Sequence, residues 1–179
     1  MSGLVSLSSR QLNRLTAHYE LLLKWNQKTN LTTVTELPEV ATRHYCESLF
    51  LGKWLTSGRV ADVGSGAGFP GIPAAILRDD CEFDLIESHQ RKAVFLKEAS
   101  RGLVNVRVRS ERAEAVTDRY DWLVARAVEL DSLLKLRLAE RFALLIGLND
   151  ATSLKASTVH LLPWGSARAL AIVSRETTT

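Results

Sequence analysis

The stretch Val60-Ala-Asp-Val-Gly-Ser-Gly-Ala-Gly-Phe-Pro-Gly71 decides the fold class of this chain of 179 residues. It begins with a short apolar run that is typical of a buried strand, and three alternating glycines follow directly. In open α/β sheets the turn after the first strand approaches the bound ligand closely, and glycine permits this approach because it has no side chain. The stretch therefore predicts a nucleotide-binding turn at the carboxyl end of a strand. We call this turn, Gly64 to Gly68, the glycine turn.

Beyond this turn, segments with the pattern of strands alternate with segments that have the pattern of helices. We expect strands at 82–87, 104–108, 120–125 and 142–146, and helices at 73–78, 88–101 and about 131–140. Ser88 is the expected cap of the second of these helices, and Gly102 is its expected stop. Segments 159–162 and 168–173 are expected to form a closing hairpin. Such alternation predicts an α/β fold with a mainly parallel sheet and a C-terminal antiparallel hairpin.

The segment before the sheet has a helical pattern. Apolar residues recur with the spacing of one helix face from Ser9 onward, and Ser8 or Ser9 can cap that helix. A second helix is expected from about Thr35 to about Leu51, with Pro38 in its first turn. We therefore expect one domain over 1–179, in which 1–57 form an N-terminal helical extension and 58–179 a Rossmann-like core.

The composition argues against several classes of protein. The hydrophobic share of 46% and the charged share of 24% are ordinary for a soluble domain. No stretch approaches the ~18 apolar residues of a membrane span, and the first ten residues lack the pattern of a leader peptide. We expect a cytoplasmic protein without membrane association. Cys46 and Cys81 form no C-x-x-C pair, so we expect two buried small residues and no metal site.

Basic residues concentrate between Ser88 and Arg112, where seven positive side chains stand against two negative ones. Such a segment beside a nucleotide site suits a phosphate backbone. A solvated helix face followed by an edge strand explains the same pattern equally well. The four tryptophans, at 25, 54, 122 and 164, can stack on bases, but core or interface packing is the favoured interpretation.

Glu87 strengthens the interpretation of the glycine turn. It ends the next expected strand, 23 positions after Gly64, and an acidic residue about 20 positions on accepts hydrogen bonds from ribose hydroxyls. The alternative role is a carboxylate that favours the first turn of the following helix. Residues 66–71 also match the dinucleotide pattern G-x-G-x-x-G, but the first of these glycines lies three residues past Val63. Counted from the strand end, Asp62-Val-Gly-x-Gly-x-Gly68 resembles the first motif of class I methyltransferases. This resemblance favours S-adenosylmethionine, and an NAD-dependent oxidoreductase is the alternative.

With these residues placed, the chain resembles the bacterial guanine-N7 methyltransferases of small-subunit ribosomal RNA, the glucose-inhibited division protein B family. The resemblance extends over nearly the whole chain. It is carried by Trp25 to Thr32, Arg43-His44 with Glu47-Ser48-Leu49, Gly64 to Pro73, Leu85 to Ser88, Arg91-Lys92, Phe95-Leu96, Arg112-Ala-Glu114, Ala125 to Val128, Leu162-Pro163 and Arg168 to Leu170. It implies a class I S-adenosylmethionine-dependent methyltransferase of Rossmann-like fold that acts on small-subunit rRNA or on the ribosomal subunit. We expect a monomer.

The resemblance also implies roles for individual residues. The expected cofactor-binding residues are Asp62, Gly64, Gly66, Gly68, Phe69, Glu87, Ala113, Glu114 and Arg126. The expected RNA-binding candidates are His44, Arg91, Lys92 and Arg168. Arg126 and Arg112 are the expected catalytic residues, through positioning alone. Alternatives are a salt bridge from Arg126 to Asp121 or Glu129, and a structural role for His44.

The expected chemistry needs no general base. Guanine N7 carries an exposed lone pair, so no proton leaves before attack, and an arginine with a pKa above 12 is no base. Three positions depart from the family. Glu47 replaces the usual Asp, which should be a mild change. Ile146 replaces a Lys and the segment 148–158 is short, and these two departures concern the substrate side more than the cofactor side. A non-catalytic or altered-substrate relative that binds RNA or a nucleotide is therefore a second hypothesis.

Overall fold

The fold is built on one mixed sheet, and the computed structural model describes residues 5–154, 157–165 and 167–175. Within these ranges the strands are β1 Gly58–Val63, β2 Cys81–Ile86, β3 Val106–Arg109, β4 Tyr120–Arg126, β5 Ala139–Gly147, β6 Ser157–Leu161 and β7 Arg168–Ser174. Their order is β3-β2-β1-β4-β5-β7-β6. Strands β1 to β5 pair in parallel, and β7 runs antiparallel to both β5 and β6. The expected parallel sheet with a C-terminal hairpin is confirmed.

Helices cover both faces of this sheet. They are α1 Ser9–Asn26, α2 Leu37–Val40, α3 Glu47–Trp54, α4 Gly71–Leu77, α5 Gln90–Ala99, α6 Leu130–Lys135 and α7 Leu148–Ser153. A π-helical turn, Ala41–Cys46, joins α2 to α3, and a 3-10 turn spans Ala113–Ala115. Side chains of α1, α3, α4 and α5 share one apolar core, whereas α6 packs into a second core on the opposite face.

The N-terminal helix forms for the reasons that the sequence indicates. Ser8 caps α1 by accepting a hydrogen bond from the Gln11 amide, and the Gln11 side chain accepts from the Ser8 amide. The buried residues Leu15, His18 and Leu22 follow at helical spacing and face the sheet layer. In the described part of the chain, no helix has both the length and the apolar character that crossing a membrane requires.

Four local expectations were wrong. The helix after β2 begins at Gln90 with His89 as its N-cap, so Ser88 does not cap it. The expected helix at 131–140 ends at Lys135, because residues from Ala139 already pair with β4. Cys46 is exposed, while only Cys81 is buried. The expected helix from Thr35 to Leu51 is interrupted by the π-helical turn. The sequence also predicts a disordered tail at 177–179, and these residues lie outside the described ranges.

Candidate cofactor and RNA site

The candidate site lies where the strand order reverses. Strand β1 pairs with β2 on one side and with β4 on the other, so the chain leaves β1 and β4 towards opposite faces of the sheet. Open α/β sheets bind their ligands at this point, beyond the carboxyl ends of the strands. The glycine turn follows β1 here and Arg126 ends β4, so the fold brings together two elements that lie 62 positions apart in the chain.

The glycine turn requires glycine for two separate reasons. Gly64, Gly66 and Gly68 have φ angles of 70°, 56° and 85°, a region that other residues rarely adopt. In addition, a Cβ on Gly64 would lie 2.9 Å from a methyl carbon of Val128, just after β4. Ala127 itself has a φ of 57°, which turns the chain after Arg126 and lets Val128 pack against Gly64.

Asp62 supports the turn from beneath. Its carboxylate is fully buried, and Oδ2 accepts a hydrogen bond of 3.0 Å from the Gly71 amide. Oδ1 is buried without a hydrogen-bond partner among the described residues. Burial raises the pKa of Asp62 to about 7. An unpartnered buried carboxylate oxygen beneath the glycine turn is a fitting acceptor for a cationic or hydrogen-bonding group of a ligand.

Glu87 joins the glycine turn to the next helix. It is buried at the end of β2, where Oε2 accepts from the Gly66 amide at 3.0 Å and Oε1 from the His89 amide at 2.8 Å. Each carboxylate oxygen can accept a second hydrogen bond. Glu87 therefore fixes the start of the following segment, and its role towards a ribose stays a prediction.

Phe69 directly follows the glycine turn and lies at the centre of an aromatic cluster, whose other members come from the N-terminal helical segment. Its ring centroid is 5.2 Å from that of His18, 4.7 Å from that of His44 and 5.1 Å from that of Tyr45. His18 Nε2 donates to the Ala67 carbonyl oxygen at 3.1 Å, and the Tyr45 hydroxyl donates to His18 Nδ1 at 2.8 Å. Burial lowers the pKa of His18 to about 4, so α1 holds the glycine turn through a neutral histidine.

Arg126 is held by the π-helical turn. Its Nη1 donates to the Arg43 carbonyl oxygen at 2.7 Å and to His44 Nδ1 at 2.9 Å. The guanidinium carbon lies 5.3 Å from the Phe69 ring centroid, a cation–π distance. Burial lowers the pKa of Arg126 to about 10, so the group stays a cation at neutral pH. These bonds replace the considered salt bridges to Asp121 and Glu129.

His44 is buried, and both of its ring nitrogens are engaged by the protein. Because Nδ1 accepts from Arg126, Nε2 carries the proton and donates to the Thr32 hydroxyl at 2.9 Å. Burial, followed by the Arg126 charge, lowers the pKa of His44 to about 4. This geometry favours the structural role over direct RNA contact: His44 orients Arg126.

A buried ion pair borders the same site. Arg168 Nε donates to both carboxylate oxygens of Glu47 at 3.2 Å, and its Nη2 donates to the Leu145 carbonyl oxygen. Burial raises the pKa of Glu47, while the neighbouring Arg168 and Arg126 charges oppose that increase. Arg168 is therefore held by the protein, although its side chain is still 31% exposed.

Within the described part of the chain, no hydrogen bond or ion pair links the remaining predicted residues to this centre. Ala113 packs against the core that contains Ile86, the residue before Glu87, while Glu114 and Arg112 are exposed. Arg91 is exposed and Lys92 half-buried at the start of α5. The basic segment is partly neutralised, because Arg107 and Arg109 both donate to Asp84, at 2.6 and 2.9 Å.

Three contributors to the site were missed from the sequence. His18 belongs to no sequence motif, but it falls on the buried face of α1 between Leu15 and Leu22, and this spacing is a usable signal. Thr32 and Tyr45 position the two histidines, but their partners lie 12 and 27 residues away, beyond the reach of any local pattern. No cluster of metal-ligating side chains occurs in the part of the chain that the structure describes.

Comparison with known sequences identifies the family. The sequence profile described as rRNA small subunit methyltransferase G matches residues 11–142. The chain belongs to the rRNA small subunit methyltransferase G family. One relative of that name, from Nitrosococcus oceani, is 44% identical over 127 residues, which cover 69% of this chain and 59% of the relative. Another, from Xanthomonas campestris pv. campestris, is 44% identical over 119 residues, 64% of this chain and 56% of its own length. The chain thus spans less than two thirds of these family members' length.

Solved structures confirm the fold of this family member. A ribosomal protein L11 methylase from Lactobacillus delbrueckii subsp. bulgaricus superposes with a TM-score of 0.56 at 15% identity, over 75% of this chain and 79% of its own. A putative RNA methyltransferase from Pyrococcus horikoshii superposes with a TM-score of 0.56 at 12% identity, over 97% of this chain and 100% of its own. A SAM-dependent methyltransferase from Aquifex aeolicus superposes with a TM-score of 0.55 at 15% identity, over 76% of this chain and 93% of its own. The expected class I, Rossmann-like fold is confirmed.

Proposed function

We propose that this chain transfers a methyl group from S-adenosylmethionine to N7 of a guanine in small-subunit rRNA. The observation that carries the proposal is the position of Arg126, a desolvated cation held by His44 and stacked near Phe69, directly beside the glycine turn. The names of the family and of its relatives support the choice of substrate.

The residues present fit the proposed cofactor. Glu87 keeps acceptor capacity for the ribose hydroxyls. At Gly66 a Cβ would have only the Gly64 carbonyl oxygen within 4 Å, at 3.7 Å, so this glycine leaves room for close approach. The unpartnered Oδ1 of Asp62 offers an acceptor beneath the turn. Ala113 and Glu114 border the adenine in this proposal. When bound, the cofactor supplies the electrophilic methyl group.

The protein's own task is alignment. Holding donor and acceptor in line can supply about 7–11 kcal/mol of the barrier. Arg126 Nε and Nη2 have no partner among the described residues, which leaves them for guanine O6 or for a phosphate. No base is needed at N7, and the neutral His44 serves to hold the arginine. In this proposal the exposed Arg112 is a second positioning cation.

The proposal extends to the setting of the reaction. The substrate is small-subunit rRNA, free or within a ribosomal subunit, and Arg91, Lys92 and Arg168 contribute to its binding. The chain acts as a monomer of one domain, in the cytoplasm. The helical extension over 1–57 contributes to the site through His18, Thr32 and His44.

A thermal-shift assay and a methyl-transfer assay test the proposal. S-adenosylhomocysteine should raise the melting temperature and NAD should not, because only a ligand that binds the folded state stabilises it. Incubation with labelled S-adenosylmethionine and unmodified small-subunit rRNA or subunits should place the label on N7 of one guanine, located by mass mapping. Stabilisation by NAD alone would indicate an oxidoreductase, and cofactor binding without transfer would indicate a non-catalytic relative.

A further inference from the structure

A groove of about 610 Å³ lies between the end of α1 and the start of α5. Its walls include Lys24, Trp25 and Lys28 from α1 and the following turn, and Gln90, Arg91 and Val94 from α5. We propose that this groove binds an unpaired nucleotide of RNA, with the base against Trp25 and the phosphates against the three cations. The proposal rests on the proposed rRNA substrate and names a contact outside the methyl-transfer site.

The floor of the groove is apolar and rigid. The Trp25 ring packs edge-on against Phe95, with centroids 5.8 Å apart, and its indole nitrogen donates to Glu98 at 3.1 Å. These contacts fix the ring while leaving it half-buried, and the neighbouring Val94 is 52% exposed. A fixed, partly exposed aromatic ring is the surface on which unpaired bases stack.

The rim of the groove is positively charged. Lys24, Lys28 and Arg91 are exposed, and none of them forms an ion pair within the described ranges. The Glu98 carboxylate is turned to the Trp25 indole. Three unpaired cations around an aromatic floor complement a nucleotide, which carries a flat ring and an anionic backbone.

The groove opens on the edge of the sheet that carries the cofactor site. Helix α5 follows the carboxyl end of β2, and Gln90 lies three positions after Glu87. The turn after α1 is fixed by Asn26, whose carboxamide oxygen accepts from the amides of Leu31 and Thr32. An RNA strand that enters the methyl-transfer site can therefore continue across the same edge into the groove.

Binding of an unmodified small-subunit rRNA transcript tests the groove. Trp25→Ala should weaken this binding about ten-fold, while Trp25→Phe, which keeps a stacking ring, should stay within about three-fold of the wild type. Lys28→Ala and Arg91→Ala should each reduce the slope of log affinity against log salt by about 0.7. Arg10→Ala is the matched control, since Arg10 is an exposed cation about 21 Å from Lys24 along α1.

The outcomes separate this inference from the proposed function. The two rim variants, Lys28→Ala and Arg91→Ala, remove exposed side chains, so they keep the test valid even if Trp25→Ala fails to fold. The groove proposal would be overturned if RNA affinity and salt slope stayed unchanged in both rim variants and in Trp25→Ala. This holds whether or not the wild type transfers methyl groups. If the groove variants bound assembled subunits more weakly than the wild type but bound naked rRNA equally well, the groove would hold a ribosomal protein. That result would also overturn the proposal. RNA binding through the groove without methyl transfer by the wild type would overturn the proposed function alone.

Discussion

Replacing His18 by glutamine should change the pH dependence of stability, beyond any uniform loss of stability. His18 is buried between α1 and the glycine turn, where its Nε2 donates to Ala67 and its Nδ1 accepts from Tyr45. Glutamine keeps a donor near the Ala67 carbonyl oxygen, but it has no proton to gain or lose in this range. The variant therefore removes one titration from the interface.

The expected size follows from the pKa of His18, which burial lowers from 6.5 to about 4. Between these values the unfolded chain binds a proton at this residue and the folded chain does not, so the His18 contribution to stability rises with pH. Each pH unit is worth about 1.4 kcal/mol, which gives about 2 kcal/mol between pH 5 and pH 7. Asp62, whose pKa burial raises to about 7, has the opposite sign, so only the difference between variant and wild type isolates His18.

Urea unfolding at pH 5 and pH 7 measures this difference. His18→Gln should cost about 2 kcal/mol more at pH 7 than at pH 5. Leu15→Ala is the control, because Leu15 is buried one turn earlier on α1 and removes no ionisable group. Its cost should be the same at both pH values. An equal cost of His18→Gln at pH 5 and pH 7 would refute the reasoning and would mean that the folded protein binds a proton at His18.

Three further predictions concern the site. Gly71→Ala places a Cβ 2.4 Å from both a carboxylate oxygen of Asp62 and a methyl carbon of Leu85. The variant should therefore lose about 1–3 kcal/mol of stability and melt several degrees lower than the wild type. Gly165→Ala has open space around the new Cβ and should melt within about 2 °C of the wild type, and equal melting of the two variants would contradict the packing. Glu87→Ala should weaken S-adenosylhomocysteine binding at least about ten-fold by calorimetry, and an unchanged affinity would remove Glu87 from the proposed cofactor site. Arg168→Met should lower the free energy of unfolding in urea by about 2–3 kcal/mol, because it leaves the buried Glu47 unpaired. Adding Glu47→Gln to this variant should restore part of the loss, and additive losses would contradict the pairing.

The fold and the turn that carries the proposed cofactor were predictable because their signals are local. The apolar run before Gly64, the alternating glycines and the acidic Glu87 lie in or directly after strands, and the switch-point rule places them together. Arg126 was chosen through the family resemblance. The structure places its guanidinium carbon 5.3 Å from the Phe69 ring centroid, and its role at the site stays a prediction.

The rest depends on contacts that a local pattern does not contain. The partners of His18 lie 27 and 49 residues away, so its buried position was readable but its bonds were not. Leucines at 133, 134, 136 and 138 fit a helix as well as a strand, and pairing of Ala139 with Tyr120 ends the helix early. Ser88 was a reasonable cap by type, but the Glu87 side chain accepts from the His89 amide instead.

The π-helical turn Ala41–Cys46 makes the length of this segment as important as its composition. Each residue of a helix advances the chain by about 100°, so deleting one residue here would rotate everything before it relative to α3. The helix would still form, but His44 would no longer meet both Thr32 and Arg126. Across related sequences, the number of residues between Thr32 and Glu47 should therefore stay constant.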